Sequence, residues 1–261
     1  MNIDTYTKNK SFHFRRLEMR IVVVSKRSIY IGLIIATIMM ITGIFFLSSL
    51  TKSTLWYTSA NEPIRNGDPA SNKFAITCNV DWGNEVIPDI LKTLDEENIQ
   101  ITFFVSGRWA AKYPELLKEI YSHGHEIGNH GYSHKMHSKI DRETNRSEII
   151  RTEQAIENAL GIKSRYFAPP AGDFNEVTLE VAKELGYTTV LWSVDTIDWK
   201  EGSTAEVILN RVMKKPHRGA ILLMHPKPET AKALPEIIRN IKNENIEIGT
   251  VSDLLGQAED K

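Results

Sequence analysis

The segment NHGYSH carries two histidines four residues apart, His130 and His134, near enough to meet one ion from a single turn or tight loop. Imidazole nitrogen is a favoured zinc ligand, and a catalytic zinc commonly has three protein ligands plus water. A His-x-x-x-His pair alone more often means solvated or structural histidines, so a third ligand is needed. The run ITCNVDWGNE supplies a candidate. Strand alternation puts Thr77, Asn79 and Asp81 on one face and Ile76, Cys78 and Val80 on the other. An inward carboxylate at Asp81 is costly unless it is paired or metal-bound. The competing reading is a turn-capping aspartate before Trp82-Gly83.

Three further clusters combine chemistry with punctuation. FAPPAGDF holds Pro169 and Pro170, a rigid turn that taken alone is structural. WSVDTIDW sets Asp195 and Asp198 between tryptophans, with Trp199 adjoining Asp198. LLMH ends an apolar run on His225. Taken singly, a histidine there is more often a hydrogen-bonded core residue than a catalyst.

The elements that must position these groups are legible as alternating short apolar runs and amphipathic stretches. FAITCNV, ITFFVS, HEIGN, RYFA, TTVLWSV, AILLMH and EIGTV read as strands. Helical spacing joins Ile87, Ile90, Leu91 and Leu94, and also Leu117, Ile120 and Tyr121, with Pro88 and Pro114 near the helix starts. Later helices are expected at about 147–160, 175–185, 204–213 and 230–242. Seven strands alternating with helices imply parallel βαβ units, a barrel or a doubly wound sheet. No glycine-rich phosphate loop follows the first strand, and nearly every unusual polar group follows a strand. Both favour a barrel with its site at the C-terminal strand ends. The fold class expected is α/β, a distorted seven-stranded (β/α) barrel.

An N-terminal transmembrane helix is expected to precede it. Residues 28–51 carry no charge, and about twenty helical residues span a hydrocarbon core of about 30 Å. Lys8, Lys10, Arg15, Arg16, Arg20, Lys26 and Arg27 come before it, which keeps the N-terminus cytoplasmic and the bulk of the chain outside. A cleaved signal peptide is the competitor, but the run exceeds an ordinary h-region and no A-x-A site follows. The expected organisation is a basic cytoplasmic tail over 1–27, a membrane anchor over 28–51, a polar stalk over 52–72 and one catalytic domain over 73–257.

Composition narrows the partners. The 261 residues carry a net charge of -1, which gives no basic surface for nucleic acid, and a single cysteine, Cys78, so no intrachain disulfide forms. A monomer is expected.

Together the five clusters, in this order, resemble the polysaccharide deacetylase family, the carbohydrate esterases sharing the NodB homology domain, over about 74–255. NHGYSH is similar to the family's metal motif, ITCNVDW to its acidic motif, FAPPAG to the groove motif, DTIDW to the Asp-Trp motif and LLMH to the Leu-x-His motif. The resemblance implies a divalent metal, zinc or else cobalt or a similar ion, on Asp81, His130 and His134. It implies His225 as general acid oriented by Asp198, and Trp82, Trp199, Pro169 and Pro170 as walls of the substrate groove. It implies removal of N-acetyl groups from amino sugars of a cell-surface glycan, of peptidoglycan or chitin-like type, by hydrolysis of a non-peptide carbon–nitrogen bond.

Two positions depart from the family pattern. Asn79 stands where the family has its general-base aspartate, and an amide cannot take a proton from water. Ala168 stands where an arginine orients that base. Asp173, Glu85 and metal hydroxide are the candidate substitutes. A glycan-binding protein that has lost turnover, and a hydrolase of small amides, are the alternatives.

Overall fold

The computed structural model describes residues 26–52 and 62–257, which belong to two compact units divided after Leu55. The tail over 1–25 and the stalk over 53–61 lie outside the described residues. The first unit contains helix α1, Lys26–Lys52. Among the described residues no helix is long and apolar enough to cross a membrane. That overturns the transmembrane element expected over 28–51. A run without charge is not by that fact continuously apolar: within α1, Thr37 and Thr42 interrupt the apolar residues and turn their hydroxyls back onto the carbonyls of Leu33 and Ile38.

The second unit is a parallel α/β sheet curled into a half-barrel. Its strands are β1 (Lys73–Val80), β2 (Thr102–Val105), β3 (Glu126–Asn129), β4 (Tyr166–Phe167), β5 (Thr188–Thr189), β6 (Val194–Asp195), β7 (Ile221–Met224) and β8 (Glu247–Gly249). They run in the order β5-β4-β3-β2-β1-β7-β6, and β8 pairs with the first residues of β1. Every strand pairing is parallel.

The expected run TTVLWSV is two strands, not one. β5 pairs with β4 at one end of the sheet and β6 with β7 at the other. The residues between them cross from edge to edge, so they cannot keep one ladder. Here Ile64 enters: its amide donates to the Thr189 carbonyl at 2.9 Å and its carbonyl accepts from Leu191 at 2.7 Å. The C-terminal part of the segment read as a stalk therefore packs on the sheet.

The helices are α2 (Ile87–Glu96), α3 (Gly107–Lys112), α4 (Pro114–Ser122), α5 (Arg142–Leu160), α6 (Glu176–Glu184), α7 (Ala205–Met213), α8 (Pro228–Asn243) and α9 (Val251–Leu255). α5 begins earlier than the apolar periodicity alone indicates because Asp141 caps it, its carboxylate accepting from the Thr144 amide at 2.7 Å. The short α3 and α9 carry too few residues for a periodic signal.

Alternation along β1 sorts the core into two compartments. Phe74, Ile76, Cys78 and Val80 pack outward with Phe103, Val105, Leu222 and the apolar stripes of α2, α4, α7 and α8. Ala75 faces the interior with Phe104, Tyr166, Ala168, Val190, Ile221 and Leu254. Both faces are buried, so the strands read as near-continuous apolar runs. Cys78 lies in the outer compartment, where burial pushes its thiol well above the ordinary range.

Candidate active site

The parallel strands deliver the polar groups to one edge of the sheet. Asp81 directly follows β1, Ser106 and Arg108 follow β2, His130 follows β3, Ala168–Pro170 follow β4, Asp198 follows β6 and His225 follows β7. This is the C-terminal end of the sheet, where alternating α/β folds gather their chemistry.

The acid side of this edge is closely built. The Asp198 carboxylate is buried; Oδ1 meets His225 Nδ1 at 2.7 Å, while Oδ2 accepts from the His225 amide at 2.7 Å and the Thr230 hydroxyl at 2.8 Å. Burial by itself would raise this carboxyl, but the hydrogen bonds and charge of His225 and the Thr230 hydroxyl outweigh it and hold Asp198 below the ordinary value. With Nδ1 so engaged, His225 has Nε2 left to act on a ligand. Trp82 stacks on the His225 ring, and Trp199 is exposed beside Asp198 in the chain. Asp195 does not join this pair: it accepts from the Trp192 indole at 3.1 Å and caps the Ile197 amide at 2.7 Å.

The two histidines of NHGYSH come together, with ring centroids 5.2 Å apart. His130 is fully enclosed, and its Nδ1 lies 2.6 Å from the Ala168 carbonyl, which leaves Nε2 as its free nitrogen. Burial, reinforced by the neighbouring His134, drives its pKa down to about 3, so the ring is neutral. His134 takes a left-handed backbone, φ 55°, in a loop moored to α5, where Glu148 accepts from the Ser133 amide at 2.6 Å and hydroxyl at 3.0 Å.

Asp81 is placed differently from the expectation. Its Oδ1 accepts from the Ser106 hydroxyl at 2.5 Å and from Arg108 Nε at 2.7 Å, and its Oδ2 accepts from Arg108 Nη2. Burial would raise the carboxyl, but these donors outweigh it and hold Asp81 below its ordinary value. Two neutral imidazoles and a carboxylate are chemically suited to a divalent ion. As arranged, however, the carboxylate is saturated by a guanidinium, and among the described residues no group of three His, Cys, Asp or Glu side chains could hold a metal ion. The three predicted ligands do not, in this arrangement, make a metal centre.

Asn79 lies in β1 opposite Phe104, buried, with its Oδ1 lacking a hydrogen-bond partner. Ala168 is buried, and its carbonyl serves His130. Of the two candidate substitute bases among the side chains, Asp173 is engaged by the Ser138 amide at 2.7 Å and hydroxyl at 2.8 Å, and Glu85 is exposed. Pro169 and Pro170 are buried at the foot of the turn leading to Ala171. Ser106 and Arg108 escape a motif reading because FFVSGR resembles an ordinary helix cap. Their position directly after a strand end was the available signal.

Comparisons with known proteins agree with the fold. Residues 66–190 match the family described as polysaccharide deacetylase. The chain is 39% identical to the Bacillus subtilis protein YlxY over 75% of its own length and 61% of that protein's. It is 34% identical to a Bacillus cereus peptidoglycan-N-acetylglucosamine deacetylase, covering 73% of this chain and 71% of the relative. Among solved structures, BA3943 of Bacillus anthracis, described as a CE4 family pseudoenzyme, superposes with a TM-score of 0.73 at 38% identity, over 75% of this chain and 69% of that one. A mutant of BA3943 with restored enzymatic activity matches with the same TM-score of 0.73 at 36% identity. CE4 deacetylases are generally metal-dependent. The chain belongs to the polysaccharide deacetylase family.

Proposed function

We propose that this chain engages an N-acetylated cell-wall glycan of peptidoglycan type and hydrolyses its N-acetyl groups, with the acid half of the reaction intact and the base half altered. The observation that carries this reading is the Asp198–His225 pair at 2.7 Å beside two solvent-facing tryptophans. When an acetamide is cleaved, the sugar nitrogen must gain a proton as it leaves. His225 Nε2 is the donor proposed, and Asp198 holds the ring's tautomer and stabilises the imidazolium before transfer. Trp82 and Trp199 offer flat apolar faces to a sugar ring, and the Pro169–Pro170 turn backs the groove. The similarity to a peptidoglycan-N-acetylglucosamine deacetylase favours an N-acetylglucosamine unit as the group bound. The ion proposed for this chemistry is zinc, on His130 and His134, with Asp81 available once Arg108 releases it.

The proton on the attacking water is the weak half. Asn79 cannot accept it, and the loss of a general base costs about 10²–10⁴ in rate. That favours a second reading, a glycan-binding protein with little or no turnover, to which the likeness to BA3943 adds weight. Acetate release from N-acetylglucosamine oligomers and from peptidoglycan, compared between the natural chain and Asn79→Asp, separates the two. A silent natural chain with an active variant favours the binding protein. Equal turnover in both means that another group serves as base. No turnover in either, with no glycan binding, sinks both readings.

A further inference from the structure

We infer that Arg211, in the last turn of α7, is a positioning residue for the acid pair: it clamps the carbonyl of Ile197 and so holds the strained turn that delivers Asp198 to His225. The inference rests on the reading of Asp198 and His225 as the acid half of the site and adds the residue that keeps them together.

The chain leaves β6 at Asp195 and must bring the Asp198 carboxylate against both the ring and the amide of His225. The residue that makes the turn is Ile197, whose backbone is left-handed at φ 50°. Directly after it Asp198 is buried and Trp199 is 59% exposed, so the turn delivers the carboxylate inward and leaves the indole outside. A β-branched side chain crowds its own backbone in that region, which is a genuine outlier for such a residue. The left-handed form is disfavoured there by about tenfold against the right-handed one. Strain of this kind persists only where neighbouring contacts over-determine the backbone.

Those contacts are present on both sides of Ile197. Its amide donates to the Asp195 carboxylate at 2.7 Å. Its carbonyl accepts from the Ser203 hydroxyl at 2.8 Å, from Arg211 Nη1 at 3.0 Å and from the Lys200 amide at 3.2 Å. The same Nη1 also reaches the Thr196 carbonyl at 3.0 Å and the Ser203 hydroxyl oxygen at 2.8 Å. Asp195, Lys200 and Ser203 lie within the loop and would move with it, whereas Arg211 ties the turn to α7. Its hydrogen bonds are charge-assisted, the stronger kind.

The test is solvent exchange of the His225 Nδ1–H that faces Asp198, read by NMR of the full chain labelled at histidine and held below its melting temperature. Arg211→Met removes the clamp and is expected to speed that exchange by about tenfold. A residue that served fold stability alone would lower Tm and leave the exchange unchanged, and that result overturns the inference. Ile197→Gly removes the strain, because glycine takes the left-handed form freely. In that background Arg211→Met should speed exchange by less than about threefold. An undiminished effect there would mean that Arg211 does not act through Ile197, and also overturns the inference. Should Arg211→Met fail to fold, Ser203→Ala takes its place: it removes another donor to the same carbonyl and should speed exchange by about threefold. Unchanged exchange in that variant overturns the inference as well. In the Asn79→Asp chain, Arg211→Met should lower kcat by about tenfold with KM nearly unchanged. Absence of turnover in the Asn79→Asp chain, with the exchange effect intact, sinks the hydrolase reading and upholds the positioning of Asp198.

Discussion

The imidazole of His225 lies flat against the indole of Trp82, with ring centroids 5.9 Å apart and planes within 11° of parallel. The two residues leave adjacent strands, β1 and β7, which pair in register from Ala75–Ile221 to Cys78–Met224. Lys227 Nζ approaches the same indole at 5.5 Å from the ring centroid. Trp82 is therefore a support for the ring proposed to donate the proton, and it is also proposed as a wall of the groove. Trp82→Ala is expected to weaken binding of N-acetylglucosamine oligomers by about twofold to tenfold, the worth of one aromatic stack. Calorimetric titration checks it, and unaltered affinity would remove Trp82 from the groove.

Asp198→Asn should leave the fold intact but misorient His225, because an amide can present N–H to the Nδ1 that now faces a carboxylate oxygen. In the Asn79→Asp background, turnover is expected to fall by about 10² or more, with little change in KM. A steady-state comparison of the two chains measures it. A loss confined to KM would mean that Asp198 shapes binding and not proton transfer.

Gly83 adopts φ +78°, and a Cβ placed on it would stand 2.2 Å from the Pro226 carbonyl oxygen. This close approach lets the turn after Asp81 pass under the loop that follows His225. Gly83→Ala should therefore cost about 1–3 kcal/mol from backbone strain and force the two loops apart. Thermal melting reads the stability. Loss of the Trp82–His225 stack, read from indole fluorescence against pH, reads the displacement.

His125 is buried at the opposite end of the sheet, its Nδ1 accepting from the Ile101 amide at 3.2 Å. Burial, aided by the charge of His123 and opposed by Asp95, lowers its pKa to about 4. The unfolded chain takes up that proton near the ordinary value of about 6.5, so it binds more protons than the folded chain between the two values. Stability is complete above about pH 6.5 and is lost as pH falls toward 4, by about 3 kcal/mol for this residue. Urea unfolding across that range should show a shallower pH slope in His125→Gln than in the natural chain. An unchanged slope would mean that His125 is protonated without penalty.

Much of the site was legible because polar residues directly after apolar runs stand out in a parallel sheet. Asp198 and His225 meet as expected, since β6 and β7 are neighbours and each residue leaves its strand at the same end. His130 and His134 also meet, within one loop. The expected third member, Asp81, meets Ser106 and Arg108. A strand pattern says that Asp81 turns inward, but it cannot say which cation waits there. Arg108 lies 27 positions away on a helix of six residues, too short to announce itself by periodicity. The run TTVLWSV was read as one strand because β propensity persists through it, whereas hydrogen-bond geometry at the two sheet ends divides it.

What the sequence determined by itself was the alternation of parallel strands with helices, the two-sided burial of β1, and the presence of an amide at position 79 and a methyl at position 168 beside the clustered polar groups. These depend on residue type and local period. Tertiary structure alone decided the pairing of the charges: that Asp81 closes on Arg108, that Trp82 lies under His225, and that Asp195 turns away from the acid pair. Such contacts join residues distant in the chain, and their energies depend on distances of a few ångströms that no local pattern encodes.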